Sequence, residues 1–576
     1  MKSDFLRAFS GLTFLCATVA GASAAETATS EAGATAPGDG AGVADGHAGH
    51  MSGDAPSHAL SQDDLEPFVD PLPIPPAAAP VGTHEGRPLY EITMEMVDQQ
   101  IHRDLPPTPV FGYNGVWPGP TFDIPINDEI YVDWVNDLPP HYPDWLPVSA
   151  SHHVPDDTPR TVVHLHGGIT PSASDGFPDW TWAPGNRARY HYPNLDEQGD
   201  GSMLWYHDHA MGNTRLNVYA GLEGFYLLRN SELEAELDLP TGDYEIPLVL
   251  QDRNVAADGT LVYPGVCREF GTVNGAIFPF LEVEPRRYRF RVLNGSNFRI
   301  KQLALSNGLP FHLVGVDDGF LAETVETSSL LLAPAERADI VIDFTDHAGE
   351  DIVLQNTTSC FGPQRDGQGR GGDVDLPHMM QFQVADAADD PDDSRIPAHP
   401  VPDDGELARI LDEVSVERDI TLDEGDDFLF LINQKHFDAP VEIKPRLGDS
   451  EMWNLINLTD ESHPFHIHLI SYRIVERVPF TEDGAQAYID DRDAGTLQPL
   501  DSYLDLDAAE PPAATERGPK DVALAPFGYV TRIAMRWYGF PGMYVIHCHL
   551  LDHEDNDMMR PIEVLARDER AEEADN

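Results

Sequence analysis

Histidines separated by a single residue recur along this chain and are the first candidates for chemistry. With 24 histidines in 576 residues, chance would place about one such pair in the sequence. Four are present: His164-Leu165-His166, His207-Asp208-His209, His466-Ile467-His468 and His547-Cys548-His549. Imidazoles bind copper, zinc, iron and nickel. Eight of them divide into sets of three, three and two, which predicts a cluster of transition-metal ions but leaves the element open.

Residues around the last pair indicate a second metal site of another kind. Cys548 stands inside that pair, His553 follows it, and His463 lies just ahead of the third pair. One thiolate, two imidazoles and a weak axial thioether form the trigonal site of a blue, electron-transferring copper. Met558 is the axial candidate and Met559 is its competitor. The plain alternatives are a buried free thiol and a methionine that fills the core.

Both ligand sets depend on β-strands to position them. The motifs follow apolar runs such as Thr161-Val162-Val163 and Met543-Tyr544-Val545-Ile546. On a strand, residues i and i+2 point to one face, roughly 6.5–7 Å apart, and residue i+1 points to the other. The two imidazoles of a pair therefore lie side by side, while Cys548 points into the opposite layer. One residue of backbone then joins the thiolate site to the imidazole cluster, which predicts one-electron donation coupled to four-electron reduction of O2 to water.

Short strands separated by Pro, Gly, Asn and Asp turns make up most of the chain, and helical periodicity of any length is hard to find. We predict strands over Thr121–Trp134, Arg160–His166, Gly221–Leu228, Tyr288–Leu293, Ala338–Phe344, Met452–Leu458, Tyr529–Trp537 and Met543–Leu551. This pattern is typical of β-sandwiches or barrels. Roughly five hundred ordered residues divide into three domains. We place them at 65–232, 240–385 and 407–567, with an acidic linker over 386–406 and a mobile Gly-rich loop over 362–375.

The two ends of the chain carry no such pattern. Lys2 and Arg7 precede an apolar stretch that closes with Ala22-Ser23-Ala24, which predicts a cleaved secretory signal over residues 1–24. We predict a flexible leader over residues 25–64 and an acidic tail over residues 568–576. The leader contains His47, His50, Met51 and His58. These residues either bind copper or are ordinary polar residues of a linker. No later segment has eighteen consecutive apolar residues, so we expect a secreted or periplasmic protein without a membrane span.

The charge balance excludes two classes of partner. The chain has 98 Asp plus Glu against 36 Lys plus Arg, a formal net charge of −62. Such a surface repels phosphate backbones and anionic lipid, which argues against nucleic-acid binding and peripheral membrane binding. A halophilic-type acidic surface, screened by concentrated salt, and simple solubility are both consistent with this composition.

The histidine motifs resemble the four copper signatures of the multicopper oxidases. The matching segments are His164-Leu-His-Gly-Gly, Trp205-Tyr-His-Asp-His, His463-Pro-Phe-His-Ile-His and His547-Cys-His-Leu-Leu-Asp-His-Glu-Asp-Asn-Asp-Met558. The resemblance extends from about residue 65 to 567 and is nearest to the bacterial spore-coat laccase and bilirubin-oxidase-like branch. Further segments similar to that branch are His191-Tyr-Pro-Asn, Arg215-Leu-Asn-Val-Tyr-Ala-Gly, Leu281-Glu-Val-Glu-Pro-Arg and Leu332-Ala-Pro-Ala-Glu-Arg. It implies an all-β fold of three cupredoxin-like Greek-key β-barrel domains.

The same resemblance implies four copper ions and assigns their ligands. The type 1 copper would be held by His463, Cys548, His553 and Met558, and the type 2 copper by His164 and His466. The type 3 pair would be held by His166, His207, His209, His468, His547 and His549. Asp175 and Glu554 would relay protons to oxygen, although without the resemblance either is equally a solvated surface acid. Cys267 and Cys360 would form a disulfide, the alternative being two free thiols.

The resemblance implies a laccase-like enzyme with O2 and a small aromatic reductant as partners, acting as a monomer. Electron-rich phenols, aromatic amines or tetrapyrroles would donate single electrons at an exposed edge near His553 or His463. A periplasmic cuprous oxidase for copper tolerance is the alternative, but it usually carries a Met-rich insert and the 13 methionines here are scattered. A copper-free cupredoxin scaffold would have lost ligands, and a two-domain nitrite reductase would not need four histidine pairs.

Overall fold

The computed structural model describes residues 59–148, 153, 156–195, 201–263, 267–362, 376–425 and 429–567. The predicted signal peptide, nearly all of the predicted leader, the acidic tail and residues 363–375 of the Gly-rich loop lie outside these ranges. Within the described part of the chain, no helix combines the length and the apolar character needed to cross a membrane.

The first group of strands lies between residues 82 and 229. It contains β1 (Gly82–His84), β2 (Arg87–Gln99), β3 (Thr108–Tyr113), β4 (Gly119–Pro125), β5 (Ile130–Asn136), β6 (Val163–His166), β7 (Arg187–Tyr192), β8 (Ser202–Asp208) and β9 (Glu223–Arg229). One sheet has the order β1-β2-β5-β7, with β3 beside β2, and the other has the order β4-β9-β8-β6. Helices α1 (Thr214–Ala220) and α2 (Ser231–Leu237) flank β9.

The second group lies between residues 245 and 384. It contains β10 (Glu245–Val255), β11 (Leu261–Val262), β12 (Phe270–Val273), β13 (Ala276–Ile277), β14 (Phe280–Val283), β15 (Arg287–Asn294), β16 (Lys301–Leu305), β17 (Phe311–Val316), β18 (Gly319–Thr327), β19 (Leu330–Leu332), β20 (Arg337–Asp343), β21 (Asp351–Asn356) and β22 (Met380–Val384). Its sheets have the orders β13-β12-β10-β15-β20-β17-β18, with β11 beside β10, and β14-β22-β21-β16-β19.

The third group begins with helix α3 (Glu406–Glu413) and ends at residue 564. It contains β23 (Val414–Glu424), β24 (Phe430–Ile432), β25 (Ser450–Asn457), β26 (His463–Ile467), β27 (Arg473–Pro479), α4 (Gly484–Ala494), β28 (Val522–Ala525), β29 (Tyr529–Arg536), β30 (Gly542–Cys548), α5 (Leu551–Glu554) and β31 (Met559–Val564). The sheets have the orders β24-β23-β25-β29-β27 and β28-β26-β30-β31. Short 3-10 turns complete the described chain at Gln62–Asp64, Ser172–Ser174, Gly242–Tyr244, Leu500–Tyr503, Leu506–Ala508 and Ala514–Glu516.

The same strand order recurs in the three groups. In each, a long strand near the start of the group pairs in parallel with a later strand, as β2 with β5, β10 with β15 and β23 with β25. That later strand then pairs antiparallel with a further one: β7, β20 or β29. Parallel neighbours cannot be joined by a tight hairpin, so a longer connection links the two strands of each such pair. Each group consists of two β-sheets, at least one of them with strands of mixed direction. The predicted all-β fold is confirmed; the exact domain boundaries stay a prediction.

Alternation along the strands explains both the core and the position of the histidines. On β8, Tyr206 points into an aromatic core, with its ring 5.0 Å from that of Tyr113 and 5.2 Å from that of Trp134. The residues on either side of it, Trp205 and His207, point to the opposite face and stack on each other at 4.1 Å. This period of two is the geometry of an extended strand. The same periodicity that builds the core therefore delivers imidazoles to one face of the sheet.

Two strand predictions need correction. The strand predicted over Met543–Leu551 ends at Cys548, and Leu551 already begins α5. The segment Thr121–Trp134 is not continuous but forms β4 and β5, separated by a turn over residues 126–129. Asn127 in this turn has a φ of +65°, a left-handed conformation that asparagine adopts more readily than most residues. The apolar residues on both sides obscured this turn in the sequence.

Candidate metal centres

The four histidine pairs lie on or immediately after four strands from two distant parts of the chain. β6 and β8 pair so that His164 is opposite His207, and β26 and β30 pair so that His466 is opposite His547. The two pairs of strands approach each other face to face: the rings of His166 and His466 stack at 3.7 Å. All eight imidazoles are buried. We call this set the eight-imidazole pocket; its members are His164, His166, His207, His209, His466, His468, His547 and His549.

The nitrogen atoms in this pocket separate into three sets. His209, His468 and His547 form the first, with the Nε2 of His547 lying 3.2 Å from the Nε2 atoms of both others. Three nitrogens bound to one tetrahedral ion at about 2.0–2.1 Å lie roughly 3.3 Å apart, so this set has the spacing that a metal requires. The second set is His166, His207 and His549, and the third brings His164 and His466 together beside His166.

Backbone carbonyls orient several of these rings. His164 Nδ1 donates to the carbonyl oxygen of Asp175 at 2.6 Å, His466 Nδ1 to that of Asp521 at 2.7 Å, and His207 Nδ1 to that of Asp208 at 2.8 Å. A proton on Nδ1 leaves the Nε2 lone pair available to a metal. The Nε2 atoms of these three histidines are buried and have no hydrogen-bond partner among the described residues. Buried polar atoms are normally paired, so a bound ion fits this pocket.

Burial also sets the protonation state that metal binding needs. It lowers the pKa of His207 to about 3 and that of His209 to about 4. For His164, His466 and His468, burial lowers the pKa well below the ordinary value. These imidazoles are therefore neutral near pH 7, and a neutral imidazole is the form that coordinates a metal.

Asp175 and Glu554 both contact ligands of the eight-imidazole pocket. His468 Nδ1 lies 2.7 Å from Asp175 Oδ2, and His547 Nδ1 lies 3.1 Å from Glu554 Oε2. Both carboxyl groups are completely buried, so neither is a solvated surface acid. Burial raises the pKa of Asp175 well above its ordinary value. Burial also acts to raise the pKa of Glu554, but the neighbouring imidazoles outweigh it and lower that pKa to about 2.

A second pocket forms around Cys548, on the other face of β30. Cys548 Sγ lies 3.5 Å from His463 Nδ1 and 4.0 Å from His553 Nδ1, and the two nitrogens are 3.3 Å apart. All three side chains are buried. A thiolate and two imidazoles at the corners of such a triangle are the equatorial donors of a blue copper site. We call His463, Cys548, His553 and Met558 the thiolate pocket.

The structure separates the two methionines that competed for the axial position. Met558 belongs to the apolar cluster that contains Cys548, and its backbone accepts a hydrogen bond from Cys548 N at 3.0 Å. Met559 belongs to a different cluster, with Phe177, Met211 and Phe437. Because Met559 pairs with His547 across β30 and β31, alternation places Met558, not Met559, on the thiolate side.

The surroundings of the thiolate pocket are mainly apolar. Phe430 stacks on the His553 ring at 3.7 Å, and Phe298 meets it edge-on at 5.5 Å. Glu461 places a carboxylate oxygen 3.5 Å from His553 Nε2. Both imidazoles of the pocket are buried, so the exposed edge expected near His553 or His463 does not lie at the rings themselves and stays a prediction. Burial by aromatic side chains is the reason, and an electron must arrive through the residues that cover them.

Burial raises the pKa of the Cys548 thiol well above its ordinary value. A thiolate at this position therefore needs a cation beside it, and a coordinated metal supplies one. The Leu550 N–H points at Cys548 Sγ at 3.4 Å, a contact that favours negative charge on the sulfur. The donor set and its surroundings both fit a bound copper ion.

Cys267 and Cys360 form a disulfide with a Cα–Cα distance of 5.8 Å, as the resemblance implied. Cys360 is buried in the apolar cluster of the thiolate pocket, and Cys267 packs against that cluster. The bridge therefore ties two loops of the second strand group to the surroundings of the Cys548 site.

Sequence reasoning missed two residues that support the eight-imidazole pocket. Asp208 accepts hydrogen bonds from Val162 N and from Asn217 Nδ2, which fixes the end of β8 between His207 and His209. Its place inside the second histidine motif was a signal that could have been used. Asp521 contacts two of the imidazoles, yet it stands in no motif and only the tertiary structure brings it to the site.

Comparisons with known proteins agree with this geometry. Residues 410–568 match the family model for multicopper oxidases. The chain is 41% identical over 534 residues to a laccase from Bacillus subtilis strain 168, covering 87% of this chain and 99% of that protein. A laccase from Haloferax volcanii is 35% identical over 565 residues, covering 91% and 89%.

A solved structure shows the same architecture. The crystal structure of the McoA multicopper oxidase from the hyperthermophile Aquifex aeolicus superimposes with a TM-score of 0.67 at 25% identity, covering 86% of this chain and 99% of that one. The sequence relatives are matched over 89–99% of their length at 35–41% identity. This similarity and the donor geometry described above lead to the same conclusion. The chain belongs to the multicopper oxidase family.

Proposed function

We propose that this protein is a laccase-like oxidase that couples one-electron oxidation of small aromatic donors to the reduction of O2 to water. One observation carries the proposal: Cys548 of the thiolate pocket is bonded through its own backbone to His547 and His549 of the eight-imidazole pocket. The structure confines these neighbours to opposite faces of β30. A site that accepts single electrons is thus linked, through one residue, to a site with the donors for several metal ions.

Four copper ions match the donor sets. The thiolate pocket would hold the type 1 ion, His164 and His466 the type 2 ion, and the two sets of three imidazoles the type 3 pair. Bound copper supplies one-electron transfer at the first site and four-electron reduction of O2 to water at the second. The residues supply neutral imidazoles, fixed ring orientations and a buried, water-poor setting, which together keep the ligand geometry unchanged as the charge of the site changes.

The supporting carboxylates divide the remaining work. Asp175 holds the ring of His468 through Nδ1, and Glu554 holds that of His547 in the same way. Both are completely buried beside ligands of the eight-imidazole pocket, which supports our proposal that they would pass protons to oxygen there. At the donor end, Phe430 and Phe298 exclude water from His553. An aromatic donor bound outside these buried rings would pass its electron through them to the copper ligand His553.

Phenols, aromatic amines and tetrapyrroles are the proposed donors. Oxygen uptake by the copper-loaded protein, measured with a phenol, an aromatic amine, bilirubin and Cu(I), tests this directly. We expect the organic donors to support turnover and the Cys548→Ser variant to abolish it with all of them. Faster turnover with Cu(I) than with any organic donor would instead make the protein a cuprous oxidase.

We also propose that the protein is exported and acts as a monomer outside the cytoplasm. The Cys267–Cys360 disulfide supports this location, because such bonds persist in oxidising compartments. Cell fractionation and sizing of the mature chain test both statements. The net charge of −62 further suggests that activity rises with salt, since salt screens self-repulsion. A response that stays flat up to molar NaCl would contradict a high-salt role.

A further inference from the structure

One imidazole of the eight-imidazole pocket is turned the other way from three of its neighbours. His166 directs Nε2 towards Asp521 Oδ1 at 3.2 Å, and its Nδ1 is buried without a hydrogen-bond partner in the described part of the chain. In His164, His207 and His466 the arrangement is reversed, with Nδ1 bonded to a carbonyl oxygen and Nε2 unpartnered within that same part. His166 therefore offers the cluster its Nδ1, and something must hold the proton on Nε2.

Asp521 is the group placed to do so. Its carboxylate accepts from His166 Nε2–H, and its backbone carbonyl accepts from His466 Nδ1 at 2.7 Å. One residue thus orients two imidazoles that stack at 3.7 Å but present different nitrogens to the pocket. The side chain is completely buried, so protein contacts hold its carboxylate away from bulk solvent.

Arg337 sets that direction. Its Nη1 and Nη2 donate to the two carboxylate oxygens of Asp521 at 2.5 and 2.6 Å, a bidentate geometry that fixes the plane of the carboxylate. Arg337 Nε donates to the carbonyl oxygen of Met203 at 2.7 Å. Met203 lies on β8, Arg337 on β20 and Asp521 just before β28, so this ion pair joins all three strand groups beside the metal ligands.

The ion pair belongs to a larger buried charge cluster. Asp317 accepts from Arg337 N at 2.8 Å and lies 3.0 Å from Lys520 Nζ, which in turn donates to Glu336 at 2.7 Å. Stability alone does not explain why one carboxylate of this cluster, that of Asp521, contacts a nitrogen of the ligand His166. Buried ion pairs are also weak sources of stability, because desolvation of both charges offsets their attraction.

We propose that Asp521, held by Arg337, is a positioning residue that fixes His166 with its proton on Nε2 and thereby aims Nδ1 at the metal cluster. This inference rests on the proposed assignment of copper to the eight-imidazole pocket. Arg337 belongs to the second strand group, whereas the copper ligands belong to the first and third groups. The proposal therefore requires the second group to be packed in place for full copper binding.

The test compares three variants by copper content, by electron paramagnetic resonance of the bound copper and by the blue absorption of the thiolate pocket. Asp521→Leu removes the acceptor from His166. Asp521→Asn keeps an oxygen for His166 but weakens the pairing with Arg337. Asp317→Asn is the matched control, because Asp317 is equally buried in the same ion cluster and contacts Arg337 but is hydrogen-bonded to none of the imidazoles in the described residues.

We expect Asp521→Leu to weaken copper binding by the eight-imidazole pocket roughly 10- to 100-fold, as loss of such supporting contacts typically does, and to alter the resonance spectrum of that copper. Asp521→Asn should retain most of the copper. Asp317→Asn should retain all of it even if it unfolds at a lower temperature. The blue absorption of the thiolate pocket should persist in every variant, which shows that the third strand group is folded.

Wild-type copper content and spectrum in Asp521→Leu, or an equal copper loss in Asp317→Asn, would overturn the proposal. If Asp521→Leu does not fold, Asp521→Glu replaces it: the charge opposite Arg337 is kept but the oxygen is displaced, so copper loss is again expected and full copper would again overturn the proposal. Failure of the proposed function is distinguishable, because it would appear in the unsubstituted protein as an eight-imidazole pocket that binds no copper.

Discussion

The eight-imidazole pocket and the thiolate pocket share a strand but are built in contrasting ways. The first draws its ligands from residues 164–209 and 466–549 and forms only where two sheets from opposite ends of the chain meet. The second draws its ligands from residues 463–558, all within the third strand group. One pocket is a product of the contact between strand groups, whereas the other is local to a single group.

Their surroundings differ in the same sense. Carboxylates and carbonyls of Asp175, Glu554, Asp208 and Asp521 hold six of the eight imidazoles. The thiolate pocket is enclosed mainly by apolar and aromatic side chains such as Phe430 and Phe298. Reduction of O2 to water consumes protons and needs polar groups nearby, whereas the exchange of a single electron needs only a rigid and dry site. The chemistry of each pocket thus accounts for the polarity of its walls.

Cys548→Ser should have the largest effect and should break the link between the pockets. A hydroxyl is a poor copper ligand in place of a thiolate, so the blue absorption and turnover with organic donors should both be lost. Because the serine leaves the strand and both flanking histidines in place, copper in the eight-imidazole pocket should remain. Copper content, absorption and oxygen uptake measure the three properties, and turnover that survives the substitution would contradict the proposed route.

Asp175→Asn should damage the eight-imidazole pocket alone. The amide oxygen can still accept from His468, but the amide cannot take up and release a proton. We therefore expect the copper to be retained and turnover to fall by about 100-fold or more, the usual contribution of a positioned proton-transfer group. The reduction potential of the thiolate pocket should not change, because Asp175 contacts none of its ligands in the described structure. The matched control is Asp133→Asn: this carboxylate is buried too, but it pairs with Arg189 far along the first sheet. Equal loss of turnover in both variants would indicate general destabilisation instead.

Removing the disulfide should act on the thiolate side. The Cys267–Cys360 bridge spans 93 residues, and in the chain-entropy model a loop of that length contributes about 4–5 kcal/mol, with measured values often nearer 2. We expect the Cys267→Ser/Cys360→Ser double variant to unfold at lower temperature and to lose its blue absorption before the copper of the eight-imidazole pocket is released. Simultaneous loss of both signals would mean that the bridge stabilises the two pockets equally.

Met558→Leu should have the smallest effect and should sharpen the assignment of the axial position. Because the axial ligand tunes the reduction potential of a blue copper, loss of the thioether should raise that potential, while the thiolate and the two imidazoles keep the colour. Met559→Leu is the control, because this residue packs in a separate cluster beside Phe177. Potentiometric titration of both variants decides the matter, and a shift in Met559→Leu without one in Met558→Leu would reverse the assignment.

Much of this arrangement was predictable from short-range pattern. Alternation within His547-Cys548-His549 already placed the thiol and the imidazoles on opposite faces, because a strand has a period of two regardless of its surroundings. The turn at Asn127 was not found, since apolar residues continue on both sides of it. The burial of His553 was not found either, because Phe298 and Phe430 that cover it lie more than a hundred residues away.

The sequence alone determined the kinds of donor atom, their local spacing and the covalent connection between the two pockets, because these depend only on neighbouring residues. The tertiary structure decided which imidazoles share an ion, that Asp175 and Glu554 are buried against ligands, and that Asp521 and Arg337 support His166. Those relations join residues up to several hundred positions apart. They exist only once the strand groups pack and exclude water, and that packing cannot be inferred from the local periodicity of the sequence.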